Sequence, residues 1–262
     1  MSFSIARNDR HGRGVERRLC FLSPQPIQEE RLRNRYGLAD EVYVCRSGER
    51  FVFLDAAQDR YLILKDRQSE WLAEILCPKP PPAPLTDKLE AFAVRLCELG
   101  LLSKNRQRGC REYPPVPPPH AEYVRILEDK TQKYSSKARL RFLRAFSQAV
   151  WLERTCGLSD RLKMAAAWKN NVTPNHNVCL QIALNHTHAF HRITPFVFSS
   201  HDACRWRSLV LFRYLTLCGI RPDWVYAVRT RPFAAHCWIE LDGVVLNDQL
   251  EKVRPYTPIM VI

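Results

Sequence analysis

Between residues 41 and 64 short apolar runs alternate with turn-forming residues: "VYVC", "SGE", "RFVFLD", "AAQD" and "RYLIL". Short runs rich in Val, Phe, Tyr and Ile, punctuated in this way, predict three strands. The period then changes. In "KDRQSEWLAEIL" the residues Trp71, Leu72, Ile75 and Leu76 recur at helical spacing, and "DKLEAFAVRLCEL" repeats the pattern. Thr86 is a candidate cap for the second helix and Gly100 a candidate stop. Three strands followed by two helices make a small α+β module over 39–103. Its third strand is a candidate edge, and an edge accepts a further strand from a partner.

From 121 to 190 the pattern is mostly helical. Leu140, Leu143 and Phe146 recur at helical spacing, as do Leu162, Ala165, Ala166 and Trp168, so about three helices precede residue 199. "SSHDACRWRSLVLFRYLTLCG" (199–219) is apolar on nearly every face, which predicts a central, buried helix. Ser200 or Asp202 can cap it and Gly219 can end it. Three strands follow: "WVYAVR" (224–229), "AAHCWIEL" (234–241) and "VVLND" (244–248). Between the two regions "SKNRQRGCREYPPVPPPH" (103–120) turns from basic to proline-rich and reads as a semi-rigid linker. "CPKPPPAPL" (77–85) reads as a loop between helices. The organisation expected is an extension over 1–38 with no element assigned, a module over 39–103, a linker over 104–120 and a larger domain over 121–262.

Composition narrows the function classes. No apolar run is long enough to cross a bilayer, and the Arg-rich N-terminus lacks a secretory h-region. The ten cysteines are scattered, with no C-x-x-C, as free thiols in a reducing cytoplasm would be. The formal net charge is +13, with twelve Lys/Arg against five Asp/Glu between 103 and 154. No zinc-finger spacing or aromatic-interleaved basic motif accompanies that charge, so nucleic acid is not an expected partner. There is no P-loop and no G-x-G-x-x-G, and no cofactor is expected. "HTHAFH", with His186, His188 and His191, lacks an acidic or thiolate companion at a recognisable spacing and reads as polarity at a helix end, not as a metal site.

The candidate chemistry lies in three residues. Cys204 falls in the first turn of the central helix, where unsatisfied amides and the helix dipole favour a thiolate. The dipole contributes only about 0.3–1 kcal/mol, so a nucleophile there needs a charged partner. His236 lies inside a strand, and Asp248 ends the next one. The turn decides whether they meet. A two-residue loop, Asp242-Gly243, would pair Asp248 with Cys237 and turn it from His236. A three-residue loop, Leu241-Asp242-Gly243, would set Glu240 opposite Val244, Trp238 opposite Leu246 and His236 opposite Asp248. The expectation is the three-residue loop, with the carboxylate orienting the imidazole and Cys204 on its other nitrogen. Cys237, on the opposite face of its strand, is expected to stand outside the site.

The stretch "CRWRSLVLFRYLTLCGIRPDWVYAVRTRPFAAHCWIELDGVVLND" resembles the transglutaminase-like cysteine peptidases of lasso peptide biosynthesis, the B proteins of the microcin J25-processing type. The shared pattern is a Cys opening an R-S-L-rich helix, then P-F-x-A-H-x-W and D-G-x-V-x-N-D. Cys237 departs from it, standing where the family commonly has a small residue. The segment "ERFVFLDAAQDRYLILKDRQSEWLAEIL" resembles, less specifically, the PqqD-like recognition element that binds leader peptides. The resemblances imply an α+β chain: a small winged-helix-like PqqD-type domain, then a papain/transglutaminase-like cysteine peptidase domain of helical bundle plus antiparallel sheet. They imply Cys204 as nucleophile, His236 as general base and acid and Asp248 as orienting acid. Leader binding would fall to Tyr61, Leu62, Ile63 and Leu64 by strand pairing, and to Phe92, Arg95 and Leu96 along a groove. The implied partners are a lasso precursor peptide and a separate, ATP-using, asparagine-synthetase-like cyclase. Two other readings stay open: an acyltransferase in which an amine resolves the thioester, and a basic winged-helix protein that binds nucleic acid.

Overall fold

The computed structural model describes residues 36–76, 86–104, 117–123, 136–173, 180–193 and 204–262. The proline stretch at 77–85, the basic part of 103–120, the extension up to residue 35 and the candidate caps Ser200 and Asp202 lie outside the described residues. The described residues form one compact unit.

The first sheet is an antiparallel meander, β2 (Val42–Ser47), β3 (Arg50–Asp55) and β4 (Arg60–Ile63), in spatial order β2-β3-β4. Its hairpins follow the expected punctuation. Gly48, at a left-handed φ of 64°, opens the two-residue turn that sets Ser47 opposite Arg50. Helices α1 (Asp66–Ile75) and α2 (Asp87–Glu98) cover one face, with Val44, Phe51, Phe53, Leu72, Ala93 and Leu96 in their shared core. Thr86 precedes α2 in extended geometry, but its side chain makes no capping bond. Gly100 ends that helix at a φ of 73°, with the Leu101 amide returning to the Leu96 carbonyl at 2.9 Å. A ribbon of β1 (Tyr36–Leu38) and β5 (Leu102–Lys104) closes the module.

The other face of this sheet is also apolar. Cys45, Val52, Leu54 and Ala56 are buried in the same core cluster as the helices that follow. Those are α3 (Ser136–Thr155), α4 (Leu158–Asn170), α5 (Leu180–Ile193) and α6 (Cys204–Leu217). The alternating pattern of β2 and β3 thus covers two apolar faces, one for each core. The helical spacing of Leu140, Leu143 and Phe146 falls in α3, but not on its core-facing side throughout. Leu140 and Leu143 of α3 are 69% and 62% exposed, whereas Phe142, Ala145, Ala149 and Leu152 face the core. Apolar residues occupy both sides of α3, so spacing alone did not fix which side faces inward.

Helix α6 is central, as its apolar run requires: Ser208 to Phe212 and Tyr214 to Thr216 are buried. It stops at Gly219 (φ 79°), with the Ile220 amide bonded to the Leu215 carbonyl at 3.0 Å. The second sheet has the order β10-β7-β8-β9-β6, from β6 (Ala121–Glu122), β7 (Asp223–Thr230), β8 (Phe233–Leu241), β9 (Val244–Val245) and β10 (Thr257–Val261). It is antiparallel except where β6 runs parallel to β9. Trp224, Tyr226, Val228, Cys237 and Ile239 face α6. Val225, Ala227 and Trp238 face the opposite side, with Val245, the short helix α7 (Leu250–Val253) and Tyr256.

Candidate active site

The site is built where the β8–β9 hairpin breaks down. Its turn has two residues and not three: Leu241 pairs with Val244 and Glu240 with Val245, and Asp242 and Gly243 stand at φ 50° and 76°. Two positive φ values fit a type I′ turn, the form whose twist matches the strands. This overturns the expected register. Continued regularly, it would place Asp248 on the same face as Cys237 and away from His236.

The ladder does not continue. The Leu246 amide still donates to the Ile239 carbonyl at 2.8 Å, but the return bond is missing. The Leu246 carbonyl instead accepts from His191 Nε2 at 2.8 Å, and the Ile239 amide donates to Asn247 Oδ1 at 2.8 Å. A side-chain amide thus substitutes for backbone, and the chain leaves the sheet after Val245. Asp248 is released from the pleat, and its Oδ2 meets His236 Nε2 at 2.6 Å. The two residues meet, but by a broken ladder and not by a shifted one.

The same break positions the helix that carries the candidate nucleophile. Asn247 Nδ2 donates to Ser208 Oγ at 2.9 Å, and Ser208 donates to the Cys237 carbonyl at 3.3 Å. Ser208 is one helical turn beyond Cys204, so the two share a face of α6. That face carries the exposed Cys204 to the bare margin of β8. There the Cys237 and His236 side chains both act on its sulfur in favour of the thiolate. Cys237 is therefore part of the site, contrary to expectation. The two faces of a strand are not separate environments at an unpaired edge.

Electrostatics follow from these contacts. The Cys237 and His236 bonds, with the His236 charge, outweigh burial and lower the Cys204 thiol to about 4. Burial opposes charge on His236, but its bonds to Asp248 and Cys204 prevail and raise it to about 9. Burial pushes Asp248 up, yet the His236 bond and the Gln249 amide, at 2.8 Å, hold it below the usual range. Cys237 moves the other way: its bond to the Cys204 sulfur and its burial hold it protonated. The arrangement at neutral pH is a thiolate beside an imidazolium whose far nitrogen is held by a carboxylate.

Residues 133–261 match the model of the transglutaminase-like superfamily. This stretch is a transglutaminase-like domain. No curated protein and no solved structure matches the chain. A transglutaminase-like domain of this kind is compatible with a cysteine peptidase or an acyltransferase, both of which pass through a thioester.

Several residues of the transglutaminase-like domain carry positioning roles that spacing did not reveal. His191, from the dismissed "HTHAFH", holds the strand break open. Its Nε2 donates to Leu246, which leaves Nδ1 to accept from Arg207 at 3.0 Å, and its ring stacks on Tyr123 at 5.5 Å. Arg205, next to Cys204, bonds Glu153 at 2.8 Å and Asp59 at 3.3 Å, tying the start of α6 to α3 and to the β3–β4 turn. The only sequence signal for such roles is a polar residue placed within an apolar segment. No described helix is long and apolar enough to cross a membrane.

The nominated leader-binding residues divide. Tyr61 and Ile63 lie in non-hydrogen-bonded pairs with Leu54 and Val52, so their backbone groups face outward along the edge of β4 that no described strand pairs with. Leu62 bonds inward with Phe53, and Leu64 is buried with its amide on the Phe51 carbonyl at 2.9 Å. Leu96 is core, Phe92 packs edge-on to Trp71 at 5.4 Å, and Arg95 pairs on the surface with Glu98.

Proposed function

We propose that the protein is a leader peptidase of lasso peptide biosynthesis: it binds the leader of a ribosomal precursor and hydrolyses the amide bond between leader and core. The observation that carries the reading is the His236–Asp248 bond on Nε2, together with the action of His236 on the Cys204 thiol. The Cys204 thiolate attacks the carbonyl of the leader's last residue. The His236 imidazolium gives its proton to the departing amine, which becomes the core N-terminus. Water, deprotonated by the now neutral His236, resolves the thioester to a carboxylate and regenerates the thiolate–imidazolium pair.

The leader adds a strand at β4, using the outward amides and carbonyls of Tyr61 and Ile63, and packs toward Phe92 and Arg95 over a floor that includes Leu62, Leu64 and Leu96. The ring of Tyr61 lies 5.7 Å from that of Phe233, at the start of the strand that carries His236, so a bound leader is held close to the thiolate. Tethering of this kind raises the effective concentration of the scissile bond. The freed amine then passes to a separate ATP-using, asparagine-synthetase-like cyclase. The setting is the cytoplasm, in keeping with six free thiols among the described residues.

The test is mass spectrometry of a cognate precursor incubated with wild type or Cys204→Ala, with and without the cyclase and ATP. Release of a leader ending in a free carboxylate, lost in the variant, is the expected result. A leader conjugated to an amine would make the protein an acyltransferase, and cleavage by the variant would reject the triad.

A further inference from the structure

On the sheet face opposite α6 a cleft of about 400 Å³ is lined by Arg229, His236, Asp248, Glu251, Lys252 and Tyr256, with Pro255. Its charges do not balance internally. Asp248 is committed to His236 and Glu251 to Arg254 at 2.9 Å. Lys252 has no ion pair among the described residues and reaches Asp248 only through space. Arg229 has neither an ion pair nor a hydrogen-bonded acceptor among them. Its guanidinium is held over the Tyr256 ring at 5.2 Å, and its buried Nε has no partner. Tyr256 in turn lies 5.4 Å from the His236 ring. A guanidinium N–H withdrawn from water is normally answered by an oxygen. Among the described residues none is supplied, and stacking fixes the fork instead.

The cleft's position says which part of a substrate meets it. After attack the acyl half is bonded to Cys204, at the start of α6. The departing amine takes its proton from His236, so the chain attached to that amine leaves on the imidazole's side. Asp248 holds the far nitrogen of that imidazole, and the cleft, lined by both residues, opens beyond it as seen from Cys204. We propose that the cleft is the subsite for the leaving-group side of the scissile bond, and that Arg229, with Lys252 behind it, selects an Asp or Glu carboxylate there. The inference rests on the peptidase reading and adds a specificity to it. A carboxylate is the fit because a peptide offers no other anion of that size, and because it accepts the planar fork through two oxygens.

The test needs no turnover. N-bromoacetyl-aspartate amide and N-bromoacetyl-asparagine amide both alkylate Cys204, bromide leaving as the sulfur–carbon bond forms, and differ only in a carboxylate one residue beyond the reacting carbon. Second-order rates on the full chain are read by intact mass. Wild type is expected to react about tenfold faster with the aspartate label, the size of one charge-assisted hydrogen bond. Arg229→Gln should bring the ratio to about one, and Lys252→Gln should lower it less. A wild-type ratio near one, or a ratio unaltered in Arg229→Gln, overturns the subsite. The wild-type ratio alone decides against it if the variant does not fold. A carboxylate preference without any peptide cleavage rejects the peptidase and retains the subsite, whereas cleavage without the preference does the reverse.

Discussion

Two hairpins with two-residue turns give this molecule its regular and its reactive parts. In β2–β3 the Gly48 turn launches a ladder that runs unbroken from Ser47–Arg50 to Val42–Asp55, and every side chain falls on the face its number assigns. In β8–β9 the Asp242-Gly243 turn launches a ladder of two pairs, after which Asn247 replaces the backbone and the chain departs. The first hairpin is a wall between two cores. The second puts Asp248, His236, Asn247 and Cys237 around one thiol. Regular pairing distributes side chains by rule, and a site needs an exception to it.

The largest test of this contrast removes the carboxylate that the break delivers. Asp248→Asn should keep the hydrogen bond's geometry but stop supporting the imidazolium, lowering turnover by roughly three to four powers of ten. In wild type, turnover should rise with pH through about 4 as Cys204 ionises and fall through about 9 as His236 loses the proton that the leaving amine needs. In the variant the upper limb should move down and the lower limb up, and a pH–rate profile with unmoved limbs would detach Asp248 from the pair.

Asn247→Ala comes next. It strands the Ile239 amide and unties Ser208, at a cost of about 1–3 kcal/mol in denaturant unfolding, with slower Cys204 alkylation. Arg46→Ala, on the exposed side of the intact hairpin, should alter neither measurement. Equal losses in both would mean that the break carries no special burden.

A smaller contrast lies in the turns. Gly243→Ala takes a side chain into left-handed backbone and drives a methyl into the His120 ring, whereas at Gly48 the space around an added Cβ is open. Gly48→Ala should cost about 1–2 kcal/mol of strain and Gly243→Ala more, as thermal melts would register. Smallest of all, Cys237→Ala removes the first of the contacts that hold the thiolate. The Cys204 alkylation midpoint should rise, and a fixed midpoint would take Cys237 out of the site.

The comparison also explains what could be read from the sequence. Strands β2 to β4, helices α1 and α2 and the end of the buried helix α6 stand within a residue or two of their expected places, because strict alternation and continuous apolarity leave few options. The hairpin register was misjudged because a turn's sequence does not say where a ladder stops. "VVLND" reads as five strand residues, and only Asn247's competition for the Ile239 amide shortens it to two. His236 and Asp248 were paired from a register that the structure does not have. Arg205 went unremarked and His191 was read as helix-end polarity, since a surface Arg and a helix-end His look the same whether or not they hold something.

The shared core has a consequence for how such a chain could be divided. Cys45, Val52, Leu54 and Ala56 belong to the meander, but they are covered by helices encoded after residue 135. Cutting the gene in the basic, proline-rich stretch would yield two polypeptides, each with an uncovered apolar face, that would have to be co-expressed to remain soluble. Heating the intact chain should accordingly give one cooperative melting transition for residues 36–262, with the small module and the transglutaminase-like domain losing their structure together.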